Sequence, residues 1–143
     1  MKAAWYEKTG PAGDVLRIGD CADPSPGPGE VLVSVRASGI NPADVKRRAG
    51  WRGMGMDHPL IVPHTDGAGE VIAVGSGVDT GRIGERVWLW NAQGGYREKG
   101  RAFGTAAELI AIDARQAVQL NDRLSFAEGA CLGVPAMTAH RAV

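Results

Sequence analysis

The stretch from residue 30 to residue 50 constrains the fold most, because a strand runs there directly into a short helix. The side chains of residues 30–38 alternate, and those that share one face are Val31, Val33, Val35 and Ala37. This alternation predicts a strand with one buried face. Asn41 then suits the N-cap of a helix, and Pro42 suits its first position, where no N–H is needed. The sequence therefore predicts a rigid turn at the end of a sheet.

The predicted helix carries charges that suit its two ends. Asp44 falls in the first turn, where a negative charge meets the positive end of the helix dipole. Lys46, Arg47 and Arg48 follow near the C-terminal end, and Gly50 can end the helix in a left-handed conformation. A turn of this kind holds polar groups at the mouth of a sheet, which is a common place for a binding site.

Length and composition indicate one globular domain that is rich in turns. The chain has 143 residues, of which 44% are hydrophobic and 22% are charged, and such a chain can bury a core. Its 21 glycines and 8 prolines favour frequent turns, as in small β-barrels. The formal net charge is zero, so composition favours neither a nucleic-acid partner nor a membrane surface.

The sequence predicts a cytoplasmic protein. No basic segment followed by an apolar run marks a signal peptide, and no stretch approaches the ~20 apolar residues of a membrane span. The only two cysteines, Cys21 and Cys131, are too few and too far apart for a disulfide framework or a zinc cluster. We interpret them as reduced thiols.

Further strands and two short helices are predicted along the chain. The strands are expected at residues 1–6, 15–18, 60–62, 66–74, 86–90, 105–112 and 117–120, with a loop at 91–101. Gly67 and Gly69 interrupt one strand and indicate a bulge or a close backbone approach. Ser125 and Glu128 have the spacing of a capping box, which opens a helix. A second helix is expected from Pro135 to the last residue, and we expect the natural protein to continue beyond it.

The turn sequence G-I-N-P-A-D-V-K-R-R-A-G resembles the signature turn of the medium-chain dehydrogenase/reductases, in their zinc-independent quinone oxidoreductase (zeta-crystallin-like) branch. Four other stretches resemble that family in the same order. They are P-H-T-D-G-A-G-E-V at 63–71, G-S-G-V with G-E-R-V at 75–78 and 84–87, G-T-A-A-E-L at 104–109, and L-G-V-P-A-M-T-A-H-R-A-V at 132–143. Each motif alone is weak, but five in register across the whole chain are specific.

The resemblance implies a mainly β fold, a GroES-like, partly open β-barrel with short peripheral helices. It assigns residues 1–124 to the substrate-binding barrel and residues 125–143 to a helical segment that leads into a Rossmann cofactor domain outside this chain. The glycine pattern agrees, because Gly67 and Gly69 are followed by Ile72 where a dinucleotide-binding turn needs a third glycine.

The same resemblance implies that the chain has no metal site. In the zinc-dependent relatives a Cys occupies the place of Asn41, a His that of Thr65, and a Glu that of Asp66. The four clustered cysteines of their structural zinc loop have no counterpart at 91–101. A zinc site needs several ligands close together. The histidines are isolated in sequence and are interpreted as ordinary surface or core residues: His58, His64 and His140.

The activity implied by the resemblance is NADPH-dependent hydride transfer to a quinone or another conjugated carbonyl. Without a Lewis-acid metal, the alkoxide from a simple ketone would be poorly stabilised, whereas conjugation spreads the charge. Asn41, Pro42 and Asp44 are expected to line the nicotinamide side of the cleft, with Asn41 as the candidate catalytic residue. Lys46 could contact a ribose or a phosphate of the cofactor. Thr138 matches the family threonine near the nicotinamide carboxamide.

Two alternatives stay open at this point. The chain could belong to an enoyl reductase that acts on acyl thioesters, or it could be a non-enzymatic GroES-like co-chaperone subunit. The resemblance further implies a homodimer for the full-length protein and an inactive fragment. One departure from the family pattern is His64, which stands where a glycine is usual. If that position needs a positive φ, a side chain there is strained.

Overall fold

The computed structural model describes residues 1–94 and 100–143, which form two antiparallel sheets surrounded by short helices. Their strands are β1 (Lys2–Trp5), β2 (Arg17–Asp20), β3 (Glu30–Gly39), β4 (Asp66–Val74), β5 (Arg86–Leu89), β6 (Leu109–Asp113) and β7 (Ala117–Gln119). Their helices are α1 (Ala12–Val15), α2 (Pro42–Ala49), α3 (Phe126–Gly129) and α4 (Val134–Ala142), with single 3₁₀ turns at Trp51–Gly53, Thr80–Arg82 and Ala114–Gln116.

The larger sheet has the strand order β6-β3-β4-β5-β7, and β1 pairs with β2 in a separate two-stranded sheet. In the larger sheet Val33 of β3 lies opposite Val71 of β4 and Ile110 of β6. All three side chains are buried in the main core together with other aliphatic residues of the sheet. Val31 and Val33 of β3 are buried in this core and Val35 packs against it, as the alternation predicted. Leu32, on the opposite face, is also only 9% exposed, and Ala37 packs against a separate cluster with Ala68 and Leu120.

The ladder between β3 and β4 is irregular near the candidate site. A Cβ at Gly69 would overlap the carbonyl oxygen of Ser34, and the register shifts between Val35 and Ala37. A Cβ at Gly67 would lie 2.9 Å from Thr105 Cγ2. The predicted close approach at these two glycines is confirmed, and it brings the start of β4 against the segment around Thr105.

Three predicted strands differ from the observed ones. Residues 60–62 form no strand, because Ile61 and Val62 make only isolated bridges, to Tyr6 and Phe103. Residues 15–18 do not form one strand, because α1 ends at Val15, whose side chain is buried against Tyr6 and Ile61. The strand predicted at 105–112 begins only at Leu109. Before it, the backbone N–H groups of residues 105 and 106 bond to the carbonyls of residues 64 and 63. A loop-to-loop contact thus replaces the strand pairing that the sequence pattern predicted.

The C-terminal helices begin close to the predicted positions. The capping box of α3 is confirmed, since the backbone N–H of Ser125 donates to Glu128 Oε2 at 2.7 Å and that of Glu128 donates to Ser125 Oγ at 3.2 Å. Helix α4 begins at Val134, and none of its side chains is buried. No helix among the described residues has the length and apolar character needed to cross a membrane. Residues 95–99 of the predicted loop at 91–101 lie outside the described residues.

Candidate functional site

The turn between β3 and α2 has the predicted local structure. Asn41 occupies the N-cap with an extended backbone (φ −115°, ψ 157°), and Pro42 is the first helical residue. The backbone N–H of Asn41 donates to Asp44 Oδ2 at 2.8 Å. Gly50 ends the helix with a φ of 70°, the left-handed conformation that glycine adopts at low cost. The helix therefore holds Asn41 and Asp44 in a fixed relation.

A buried amide–carboxylate pair lies at the centre of the site. Asn41 Nδ2 donates to Asp66 Oδ2 at 2.9 Å, and Asn41 and Asp66 are only 5% and 0% exposed. The backbone N–H of Val134 donates to the same carboxylate oxygen at 2.9 Å. Because a carboxylate oxygen accepts hydrogen bonds, the amide nitrogen of Asn41 faces Asp66 and its carbonyl oxygen Oδ1 is turned away. Asp66 thus fixes the orientation of the Asn41 amide.

The second oxygen of Asp66 is enclosed without a polar partner. Oδ1 is buried and accepts no hydrogen bond from the described residues, and a Cβ at Gly133 would overlap it. Burial raises the pKa of Asp66 above the ordinary value, while the hydrogen bonds from Asn41 and from the Val134 N–H oppose the rise. An ionised carboxylate in this position is costly, because desolvation disfavours the charged form.

Asp44 is the second buried carboxyl group of the site. It is 6% exposed, and burial raises its pKa, while the hydrogen bond from the Asn41 backbone and, when it is protonated, the imidazole of His64 act in the opposite direction. The negative charge of Asp66 adds to the rise. Two carboxyl groups of raised pKa therefore flank Asn41, one on α2 and one at the start of β4.

A chain of hydroxyl groups reaches from Asp66 to His64. Thr105 Oγ1 donates to the backbone carbonyl of Asp66 at 2.5 Å, Ser38 Oγ lies 2.9 Å from Thr105 Oγ1, and His64 Nδ1 lies 2.8 Å from Ser38 Oγ. His64 has a φ of 78°. The backbone strain expected for a side chain at this position is therefore present. The sequence pointed to His64 only because a histidine stands where the resembled family usually has a glycine. Ser38 and Thr105 were not singled out by sequence.

The remaining residues predicted for the cofactor site are exposed. Pro42 and Lys46 lie on the outer surface of α2, and Lys46 Nζ is 4.7 Å from the centroid of the Trp51 ring. Thr138 lies on the exposed helix α4, where it lines a shallow hollow with Val134 and Met137. The structure thus brings Asn41 and Asp44 together in a buried cluster, while Lys46 and Thr138 face outwards on two different helices.

The donor set of the site differs from that of a metal centre. Among residues 1–94 and 100–143, no three His, Cys, Asp or Glu side chains lie together in a way that could hold a metal ion. The central pair of the site is an amide that donates to a carboxylate. Asp66 Oδ2 accepts two hydrogen bonds, one from Asn41 Nδ2 and one from the backbone N–H of Val134.

Comparison with known proteins identifies the family of this fold and site. The model of the alcohol dehydrogenase GroES-like domain matches residues 27–122. The chain belongs to this family. The GroES-like fold and the resemblance to quinone oxidoreductases inferred from the sequence are thereby confirmed.

The relatives of this GroES-like domain are longer proteins. The chain is 34% identical over 117 residues to the synaptic vesicle membrane protein VAT-1 homolog of Rattus norvegicus, covering 82% of this chain and 26% of that protein. It is 33% identical over 142 residues to the quinone oxidoreductase of Homo sapiens, covering 96% of this chain and 39% of that protein. The structure of mycobacterial Rv1454c complexed with NADPH matches with a TM-score of 0.81 at 27% identity, covering 99% and 40%. The chain thus spans less than half the length of these proteins.

Proposed function

We propose that this GroES-like domain binds substrate in an NADPH-dependent quinone oxidoreductase that transfers hydride to a quinone or conjugated carbonyl without zinc. The observation that carries the proposal is the buried hydrogen bond between Asn41 Nδ2 and Asp66 Oδ2. It leaves a neutral, oriented amide where zinc-dependent relatives have a metal ligand. The quinone oxidoreductase among the relatives supports the same substrate class.

The chemistry of such a reaction suits a site built for positioning. NADPH, when bound, supplies the hydride, and a conjugated acceptor spreads the charge that develops on it. The protein then has mainly to hold the reacting groups at ~3–3.5 Å. Asn41 is held from two sides, by its backbone bond to Asp44 and its side-chain bond to Asp66. Its Oδ1 can accept a hydrogen bond from the cofactor or the substrate.

The cofactor assignment extends to three further residues. Pro42 and Lys46 lie on the same helix as Asp44, and an ammonium group at Lys46 can pair with a cofactor phosphate. Its present contact with the Trp51 ring is worth about 0.5–1 kcal/mol at an exposed site, which a phosphate contact can replace. Thr138 would reach the nicotinamide carboxamide from α4. A related structure with bound NADPH supports the choice of cofactor.

The proposal includes an arrangement for the whole protein. Residues 1–124 form the substrate-binding barrel, and residues 125–143 lead into a Rossmann cofactor domain, so the 143-residue chain alone is inactive. The full-length enzyme is a cytoplasmic homodimer that acts on a small molecule. The two free thiols support the location, and the zero formal charge supports the absence of a nucleic-acid or membrane partner.

The test compares Asn41→Ser with Asn121→Ala in the full-length enzyme, assayed by NADPH oxidation with a quinone in the presence of a chelator. Serine keeps a helix cap but removes the amide, so turnover should fall about tenfold or more, as expected for one lost hydrogen bond. Asn121 is exposed, and its variant should retain full turnover. The melting temperature of each variant separates loss of activity from loss of folding.

Four results would each contradict part of the proposal. Loss of activity on chelation would show a metal-dependent enzyme. Faster turnover with a crotonyl thioester than with a quinone would instead identify an enoyl reductase. Absence of any reduction, together with a ring-sized assembly in solution, would favour the co-chaperone alternative. Unchanged turnover of Asn41→Ser would reduce Asn41 to a helix-capping residue.

A further inference from the structure

A small hollow beside the candidate site combines apolar walls with hydrogen-bond acceptors. Its volume is about 190 Å³, and its apolar walls include Leu16, Ile40, Val45 and Pro63, while its polar residues are Asp44, Arg48 and His64. An apolar cavity of about 150 Å³ accepts a benzene molecule. The hollow is therefore large enough for a single six-membered ring.

The hydroxyl chain determines which nitrogen of His64 carries the proton. The single hydrogen of Thr105 Oγ1 is donated to the backbone carbonyl of Asp66, which can only accept. Ser38 must therefore donate its own hydrogen to Thr105 Oγ1, across 2.9 Å. The Ser38 oxygen is then an acceptor for His64, and the 2.8 Å contact is an Nδ1–H donating to Ser38 Oγ. A neutral His64 thus carries its proton on Nδ1 and a lone pair on Nε2.

The backbone around His64 holds the imidazole in this position. The carbonyl of His64 accepts the N–H of Thr105 at 3.0 Å, and a Cβ at Gly104 would overlap the same carbonyl. This packing keeps His64 at a φ of 78°, a conformation that non-glycine residues rarely adopt. Strained residues persist where the surroundings over-determine them, and they cluster at functional sites.

Burial, rather than a neighbouring charge, favours the neutral form of the imidazole. Burial lowers the pKa of His64, and the carboxyl group of Asp44 only partly opposes this effect. Of the other charged groups nearby, Asp66 is tied to Asn41, Arg48 donates from Nη1 to the carbonyl of Gly10 at 2.5 Å, and Arg47 lies in the last turn of α2. His64 Nε2 makes no hydrogen bond with the described residues, so its lone pair is available to a ligand.

We propose that this hollow is a substrate subsite for a hydroxyl-bearing six-membered ring, whose O–H donates to His64 Nε2. The ring would contact the aliphatic walls, and Asp44 would provide a second acceptor. The description of the hollow as a substrate subsite rests on the proposed function. Reduction of a quinone produces such hydroxyl groups, and a hydroxyquinone carries one beside the reducible carbonyl. His64 is thereby a specificity-determining residue.

The test measures binding of phenol and of anisole to the 143-residue chain by NMR, with the ¹⁵N shifts of the imidazoles as the readout. The two probes share a ring and an oxygen, but only phenol can donate a hydrogen bond. Phenol should bind about tenfold more tightly than anisole, the preference expected for one hydrogen bond. Before addition, the His64 shifts should show an Nδ1–H tautomer, and phenol should move the Nε2 signal.

Variants assign the effect to the hollow. His64→Gly tolerates the left-handed backbone but removes the acceptor, so the preference for phenol should disappear. Ser38→Ala removes the acceptor for Nδ1–H, so both tautomers should become populated and the preference should shrink. His140→Ala, at an exposed position on α4, is the matched control and should behave as the parent chain.

Equal affinity for the two probes, no detectable binding of phenol, or an Nε2–H tautomer in the parent chain would each overturn the proposal. An unchanged preference in His64→Gly would also overturn it. None of these measurements needs cofactor or turnover. Failure of the full-length enzyme to reduce quinones would therefore count against the proposed function. It would not change the outcome of the phenol and anisole binding test.

Discussion

Gly133 lies against Asp66 so closely that a Cβ at position 133 would overlap the buried carboxylate oxygen Oδ1. The next residue, Val134, donates its backbone N–H to the other oxygen, Oδ2, at 2.9 Å. The backbone before α4 is thus fixed on the carboxyl group of Asp66, and glycine is required by close approach rather than by its φ of −69°.

The first prediction concerns this contact. Gly133→Ala should lower the free energy of unfolding by about 1–3 kcal/mol, the usual range for overpacking at a close contact. Gly13→Ala is the matched control, because a Cβ at Gly13 would meet no atom within 4 Å. That change, in helix α1, should be neutral or stabilise by roughly 0.5–1 kcal/mol. Urea unfolding measures both, and equal effects of the two variants would contradict the close contact.

The second prediction concerns pH. The pKa of Asp66 is raised in the folded protein, so folding favours the protonated form. The corresponding stability is complete below the unfolded pKa of about 3.9 and is lost as the pH rises through the raised value. Asp66→Asn keeps one oxygen that can accept from both Asn41 and Val134, as Oδ2 does now, but removes the charge. Its stability should therefore decrease less than that of the parent chain between pH 4 and 7.

The control for this pH dependence is Asp122→Asn, because the Asp122 side chain is 95% exposed. Its stability curve should follow that of the parent chain over the same range. Asp44 also has a raised pKa and remains in all three proteins. The stability of Asp66→Asn should therefore still decrease in part as the pH rises. Urea unfolding at several pH values gives the curves. If the stability of Asp66→Asn changed with pH as much as that of the parent chain, the role given to Asp66 would be contradicted.

The third prediction tests the left-handed backbone of His64. His64→Ala and His64→Gly both remove the imidazole and its bond to Ser38, and they differ only in the Cβ atom. At a φ of 78° a Cβ costs about 1–2 kcal/mol, so His64→Ala should be less stable than His64→Gly by this amount. Thermal or urea unfolding measures the difference. Equal stabilities would mean that position 64 relaxes to another conformation.

The β3–α2 turn could be predicted from the sequence because its determinants are local. Asn41, Pro42, Asp44 and Gly50 lie within ten residues, and each acts on the backbone next to it. The alternating valines of β3 are equally local, because a strand's period is read from neighbouring residues. The motifs that indicated the family are likewise short, continuous segments of the sequence. The general fold and the position of Asn41 were therefore accessible without a structure.

The partners of the site could not be predicted in the same way, because they are distant in sequence. Ser38 and Thr105 meet across 67 positions, and Asp66 and Val134 across 68. No local pattern marks such pairs, since the contacts depend on how β4 and the residue 104–106 segment pack. For His64, the sequence indicated only a departure from a usual glycine. Its bond to Ser38 and its tautomer follow from three-dimensional neighbours alone.

The bond between Val134 and Asp66 has a mechanical consequence. One carboxylate oxygen holds both the first residue of α4 and the side-chain amide of Asn41. If α4 tilts or shifts at its start, the oxygen must follow or release one of its two donors. If the oxygen follows the helix or releases Asn41, the amide turns. A displacement of the helix by a fraction of an ångström would thus be transmitted to Asn41 through a single atom, and a ligand that locks the amide would steady the helix in return.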